Sequence, residues 1–209
     1  MSFAAFSIQN LFPTPLITAS FSPPEIVEIK AQLVPMLLEK ERSMPPAHIT
    51  NVGGWQSDTK LLEWGGAPVK KIADALKDII KQVTMDLHDP KFELTADWKI
   101  YGWANINRKG HFNTVHTHPG AFWSAIYYVQ TDENGSDGEL EIRDPRGTLP
   151  ITYRPNLRFR MEDYHSCGGH ILHKPKEGEC LLLPSWLPHA VTPYMGEKAR
   201  ISLALNFSV

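Results

Sequence analysis

Cysteine is nearly absent: Cys167 and Cys180 are the only two in 209 residues. Two thiols allow one bridge at most, which excludes a disulfide framework and a closed multi-cysteine zinc module. No sign of charge dominates either. Twenty-one Lys and Arg stand against 23 Asp and Glu, a formal net charge of −2, so the surplus that holds a general polyanion binder to its ligand is missing and nucleic acid is not an expected partner. No apolar run approaches the ~20 residues of a membrane span. The opening MSFAAFSIQNLFPTPLITAS has no basic n-region and is interrupted by Pro13 and Pro15, which argues against a secretory signal. The expectation is a cytoplasmic protein without a membrane partner. What is present, 42% hydrophobic and 21% charged residues, is the composition of a globular domain with a real core.

The texture of the chain changes near residue 96. Before it, Ser22-Pro23-Pro24-Glu25 is a helix start, a capping serine followed by prolines in the first turn. Ile26, Ile29, Leu33 and Leu37 then recur at helical spacing, with Pro35 expected to kink or divide the element. MPPAHITNVGGWQSDTKLLEWGG reads as an extended, turn-rich connection, and a second helix is expected from about Pro68 to His88, striped by Ile72, Leu76, Ile79, Val83 and Leu87. After it come short alternating runs punctuated by Gly, Pro and Asn: WKIYGWANIN, FNTVHTH, FWSAIYYVQ, ELEIR, ECLLLP and ARISLALNFSV. The predicted fold is mainly β, a helix-buttressed jelly roll (double-stranded β-helix) in a single domain over 1–209. About 1–95 form its helical part and about 96–209 its core. In the last strand Ile201, Leu203, Leu205 and Phe207 share one face, suited to lie under the helices. Arg200, Ser202, Ala204 and Asn206 share the other, suited to a polar lumen.

Chemistry enters with HFNTVHTHPG. In an extended strand His116 and His118 would point the same way, and His189 follows the apolar run ECLLLPSWLP. A jelly roll can bring these stretches face to face. Three imidazoles converging with open positions suit iron(II), zinc or copper better than magnesium or calcium. Two metal-bearing families share this outline. Cupins add a glutamate shortly after His-x-His, and PGAFWSAIYY holds none. Iron(II)/2-oxoglutarate oxygenases add a basic residue on a later strand, and Arg200-x-Ser202 stands there. A guanidinium forks onto a carboxylate through two charge-assisted hydrogen bonds, which a neighbouring hydroxyl completes.

LFPTPL, GWQS, WANIN, NTVHTHPGAFWSAIYYV, LEIRDPR, LLLPSWLPHAV and RISLALNF, in that order, resemble the 2-oxoglutarate/iron(II) oxygenase family of small bacterial and phage proteins. The resemblance implies an enzyme that uses Fe(II), dioxygen and 2-oxoglutarate as cosubstrate, releases succinate and CO2, and hydroxylates a small-molecule or peptide substrate. It implies His116, His118 and His189 as metal ligands and Arg200 and Ser202 as the cosubstrate clamp. The spacing Asn105-x-Asn107…His116 also resembles the Asn-x-Tyr run of oxygenases that demethylate nucleic acid, which implies Asn105 and Asn107 as further cosubstrate contacts, Asn107 standing where those have tyrosine. His118 stands where most relatives carry a carboxylate. Asp144, Glu139 and Glu141 are the other candidates for that third ligand. Trp103, Trp123 and Tyr128, with Tyr127, are candidate pocket walls, although aromatics at strand spacing are often plain core.

Two further stretches invite a reading. HSCGGHILH holds His165, Cys167, His170 and His173, but its spacing fits no common closed zinc site and a glycine-hinged loop over the barrel mouth is expected. Arg143, Arg146, Arg154, Arg158 and Arg160 make the region between 143 and 176 locally basic, either a solvated loop or a docking face for an anion. The competing classes are a cupin-like isomerase or cosubstrate-free dioxygenase, and a binding domain without redox chemistry. A homodimer is compatible with all three.

Overall fold

The computed structural model describes residues 5, 7, 9, 11–47, 49–91, 93, 97–132, 138–147 and 169–209. Helix α1 runs Pro23–Ser43. Glu25 closes its first turn by accepting from the Ser22 backbone N–H at 3.1 Å and the Ser22 hydroxyl at 2.6 Å. These bonds and the ammonium of Lys71 hold its carboxyl down at about 2. Of the two outcomes expected at Pro35, division does not occur, and the helix runs through it. It lies on the exposed face, as does Ala31, so the carbonyl that the missing N–H leaves unbonded can turn to water.

After α1 come the short strands β2 (Asn51–Val52) and β3 (Trp55–Gln56), the one-turn helix α2 (Leu61–Trp64) and helix α3 (Gly66–Val83). Helix α3 stops short of the expected His88. Thr84 is extended, and Met85 and Leu87 are exposed, so the apolar stripe outlasts the surface it packs on. No helix of the described residues is long and apolar enough to cross a membrane.

The remaining strands are β1 (Ile17–Ser20), β4 (Lys99–Asn107), β5 (Phe112–His116), β6 (Trp123–Gln130), β7 (Leu140–Arg143), β8 (His170–His173), β9 (Glu179–Pro184), β10 (His189–Val191) and β11 (Arg200–Ser208). They form two antiparallel sheets, one in the order β1-β9-β6-β11-β4-β3 and one in the order β2-β5-β10-β7-β8. This is the expected jelly roll. Five strands were not expected, among them the short β10 that carries His189. The edge strands β1, β2 and β3 come from the N-terminal part, and β8 lies inside the stretch read as a loop.

Two apolar layers hold the assembly. The larger lies between the six-stranded sheet and the helices, joining Ile29, Leu33 and Leu37 of α1 and Val69, Ile72, Leu76 and Ile80 of α3 to Ile201, Leu203, Leu205 and Phe207 of β11. Those four β11 side chains are fully buried, each worth roughly 1.5–3 kcal/mol over exposure. The smaller lies between the sheets and contains Tyr128, Leu140, Ile142, Leu181, Leu183 and Leu187. The alternation of β11 therefore fixes its other face, Arg200, Ser202, Ala204 and Asn206, toward the space between the sheets.

Candidate metal centre

Strands β5 and β10 pair antiparallel with His116 directly opposite His189, and their ring centres are 4.5 Å apart. Strand β5 ends at His116, so His118 does not ride on the strand as alternation predicted. It arrives through the turn that follows. Its backbone N–H donates to the Ser185 carbonyl at 2.9 Å, and Gly120 relaxes the turn at φ +87. The result is the same convergence. One nitrogen from each of His116, His118 and His189 lies within 4.8 Å of the others, and the facing Nε2 atoms of His118 and His189 are 3.2 Å apart.

Two of the rings are held by the backbone. Nδ1 of His116 donates to the Thr114 carbonyl at 2.7 Å, and Nδ1 of His189 to the Leu187 carbonyl at 2.9 Å. With the proton fixed on Nδ1, each Nε2 keeps a free lone pair, the form a metal requires. Trp103 stacks flat on His118, 5.4 Å between centres and 8° between planes. Burial disfavours the charged imidazolium throughout. It lowers His116; it takes His189 to about 4, helped by His116; it takes His118 to about 3, helped by His189 and His116, against a hydrogen bond with the Asn206 side chain. Three rings that resist protonation, two with lone pairs aimed inward, fit a divalent cation. Nitrogens at ~2.1 Å from one ion and at right angles would be ~3 Å apart, close to the separation seen for His118 and His189.

The alternative third ligands do not join this cluster. Both carboxylate oxygens of Asp144 accept from Arg146, and Glu141 accepts from Arg143 at 2.7 Å. Among the described residues the gathered group is three histidines, without Glu139, Glu141 or Asp144.

On the same lumen Arg200 is 2% exposed. Its Nε donates to the Gly138 carbonyl at 3.1 Å, its Nη1 lies 3.3 Å from the Ser202 hydroxyl, and its guanidinium sits 5.2 Å from the centre of the Tyr128 ring. No carboxylate of the described residues is within ion-pair reach of it. Burial lowers its affinity for the proton, and a buried charge normally demands an anion. Beside it runs a row of polar side chains across the sheet. Gln56 is in register with Asn105, Asn105 with Ser202, and Ser202 with Tyr128, so all four share the lumen face. Gln56 Oε1, Asn105 Oδ1 and the Tyr128 hydroxyl are buried with no partner of acceptable hydrogen-bond geometry among the described residues. So is Asn107 Oδ1, while Asn107 Nδ2 donates to Asn113 at 3.2 Å. Unsatisfied polar atoms around an unpaired guanidinium fit a ligand bearing a carboxylate.

Of the aromatic candidates, Trp103 and Tyr128 face this space. Trp123 does not. It belongs to the helix-side core, 4% exposed, with its indole N–H donating to Thr84 at 2.8 Å, and Tyr127 lies in the same layer. Strand parity decides this, since residues 123 and 127 share the face opposite 128. Sequence reasoning overlooked Gln56 and gave no role to Asn206. The signal for Gln56 was the alternation of Trp55 and Gln56 across a two-residue strand too short to notice. His165, Cys167, Arg154, Arg158 and Arg160 lie outside the described residues. His173 pairs with Glu179 at 2.8 Å, not with a metal cluster.

Residues 101–206 match a family model described as "Putative 2OG-Fe(II) oxygenase". No curated protein matches the sequence. Among solved structures, a prolyl-4-hydroxylase of Pseudomonas putida is 18% identical with a TM-score of 0.58, covering 93% of this chain and 92% of that one. A prolyl hydroxylase of Trichoplax adhaerens, in complex with a hypoxia inducible factor oxygen degradation domain peptide, is 13% identical with a TM-score of 0.62, covering 92% and 83%. HygX of Streptomyces hygroscopicus, with nickel and 2-oxoglutarate bound, is 12% identical with a TM-score of 0.58, covering 93% and 83%.

Proposed function

Since this chain belongs to the 2OG-Fe(II) oxygenase family, an enzyme family that uses Fe(II) and 2-oxoglutarate, we propose that it is a hydroxylase whose metal is held by His116, His118 and His189 and whose cosubstrate is clamped by Arg200. The observation that carries this reading is the buried guanidinium without a carboxylate, opening on the same lumen as three converging imidazoles. Bound iron supplies the redox chemistry that couples oxidative decarboxylation of 2-oxoglutarate to oxidation of a C–H bond by dioxygen.

The chain's own residues do the rest. His116 and His189, their Nδ1 protons tied to Thr114 and Leu187, offer neutral Nε2 donors without reorganisation. Arg200 and Ser202 receive the distal carboxylate of the keto acid, the guanidinium through two parallel N–H bonds and the hydroxyl as a third donor. The Tyr128 hydroxyl, otherwise unpartnered, supplies another. Asn105 and Asn107 flank the cosubstrate along β4. Trp103 walls the metal side and Tyr101 stacks on it, 6.4 Å between centres. This flat apolar shelf keeps water from the reacting carbon and holds a small-molecule or peptide substrate against the site.

Anaerobic titration of the Fe(II)-loaded protein with 2-oxoglutarate, followed by succinate formation on admitting air, tests the reading. Wild type should bind the keto acid and release succinate, while His189→Ala should lose metal and Arg200→Ala should keep metal and lose the keto acid. A protein that binds metal and ignores 2-oxoglutarate would overturn the proposal in favour of cupin-like chemistry without a cosubstrate.

A further inference from the structure

Gln56 is carried by a hairpin that lies outside the residues matched by the family model. One arm, β2, pairs with β5 of the five-stranded sheet, and the other, β3, pairs with β4 of the six-stranded sheet. The hairpin therefore closes that flank of the lumen. Its backbone is held from several sides. The Asn51 amide donates to the Gly54 carbonyl at 2.5 Å, the Trp55 indole N–H to the Met44 carbonyl at 3.0 Å, and the Ala47 N–H to the Gln56 carbonyl at 2.8 Å. Gly54 lets it lie this close, since a Cβ there would strike the Asn107 side chain and come within 3.1 Å of the Ile106 carbonyl oxygen. Trp55 packs in the helix-side layer, so by alternation Gln56 faces the lumen, where it is 2% exposed.

A side chain so placed would ordinarily have a partner. Asn105 stands directly opposite on β4, close enough for two carboxamides to bond. Yet neither Gln56 Oε1 nor Asn105 Oδ1 accepts a hydrogen bond from any described residue, so the two amides do not hold each other. A buried amide oxygen without a donor costs stability. A fixed backbone carrying an uncommitted polar end is explained by a ligand that takes it up. The row continues from Asn105 through Ser202, two residues along β11 from Arg200, to Tyr128. Gln56 ends it on one side as Tyr128 does on the other.

We propose that Gln56 is a further cosubstrate-binding residue, its amide Nε2 donating to a carboxylate oxygen of 2-oxoglutarate from the flank opposite Tyr128. The keto acid offers acceptors only, so it takes the nitrogen end of the amide. The oxygen end is then free to accept from the Asn105 amide, and binding satisfies both groups that the empty lumen leaves unspent. The cosubstrate pocket is thereby completed by a strand from the N-terminal part of the chain.

The inference rests on the lumen taking 2-oxoglutarate, and the experiment separates the two ideas. The Co(II)-loaded protein is titrated anaerobically with 2-oxoglutarate by calorimetry, Co(II) affinity is measured separately, and the apo-protein is melted. Gln56→Met, nearly isosteric and without the amide, should bind 2-oxoglutarate about tenfold more weakly or worse and Co(II) as wild type does. Its apo form should melt at or above wild type, because an unsatisfied buried group is gone, whereas loss of a merely structural amide would lower the melting temperature. Nitrogen-15 spectra of the Zn(II)-loaded wild type need no variant, and the Gln56 side-chain amide signals should shift when 2-oxoglutarate is added. Unmoved signals, or wild-type 2-oxoglutarate affinity in Gln56→Met, would overturn the proposal. So would a clearly lower melting temperature, which would mean that Gln56 and Asn105 hold each other. A wild type that binds no 2-oxoglutarate would instead sink the reading beneath it.

Discussion

Replacing Arg200 by methionine should cost far more in binding than in stability. In the wild-type protein the guanidinium is 2% exposed and faces no carboxylate of the described residues, a condition that costs stability. When a keto acid arrives, two charge-assisted hydrogen bonds form in a buried setting, each worth roughly 1.5–3 kcal/mol. Arg200→Met should therefore weaken 2-oxoglutarate binding by about 3–5 kcal/mol, on the order of a hundred- to a few thousandfold. The same change removes an uncompensated buried charge, a gain of up to ~4 kcal/mol. It also strands the Gly138 carbonyl and the Ser202 hydroxyl that the arginine touches, a loss of about 1–3 kcal/mol for each buried group. The apo-protein should end within ~2 kcal/mol of wild type. Calorimetry of the Mn(II)-loaded protein with 2-oxoglutarate measures the first quantity and urea unfolding of the apo-protein the second. Arg200→Lys, which keeps the charge but not the fork, should fall between the two. A binding change under threefold in Arg200→Met would refute the argument. So would a loss of affinity no larger than the loss of stability.

Two other outcomes follow from the same structure. Burial depresses His118 to about 3 and His189 to about 4, so below pH 6.5 the unfolded chain takes up protons that the folded chain refuses. Stability should be complete above pH 6.5 and fall as the pH drops toward 4, by up to ~1.4 kcal/mol per pH unit for each ring. Urea unfolding of the apo-protein between pH 7 and 5 should show this slope, and a His118→Leu/His189→Leu variant should flatten it; equal slopes would count against the burial argument. Trp123→Phe should cost about 1–2 kcal/mol through the lost bond to Thr84 and leave Co(II) affinity unchanged, because Trp123 lies on the helix side. A change in metal affinity would place it nearer the site than the strand parity allows.

The face pattern of β4 and β11 was legible because period-two alternation is short-range physics that a sequence carries directly. Ile201, Leu203, Leu205 and Phe207 met the helices, and Arg200 and Ser202 met the lumen, as their spacing requires. His118 was brought to the cluster by a route alternation did not foresee. The strand stops at His116, and the Ser185 carbonyl that holds the turn is 67 residues away in the chain. Trp123 and Tyr128 look alike in composition and differ only in parity, which a list of aromatics does not weigh. The short strands β1, β2 and β3 escaped notice because two to four residues carry too little periodicity to register. They form only against long partners such as β9 and β4. Gln56 was missed for that reason.

Because β11 carries oil on one side and the reactive groups on the other, its register admits no partial error. Sliding the strand by a single position would push a guanidinium into the helix-packed layer and turn Ile201 toward the lumen. Evolution of new specificity in this molecule should thus proceed by exchanging lumen-facing side chains two apart along a fixed ribbon, never by shifting the ribbon itself.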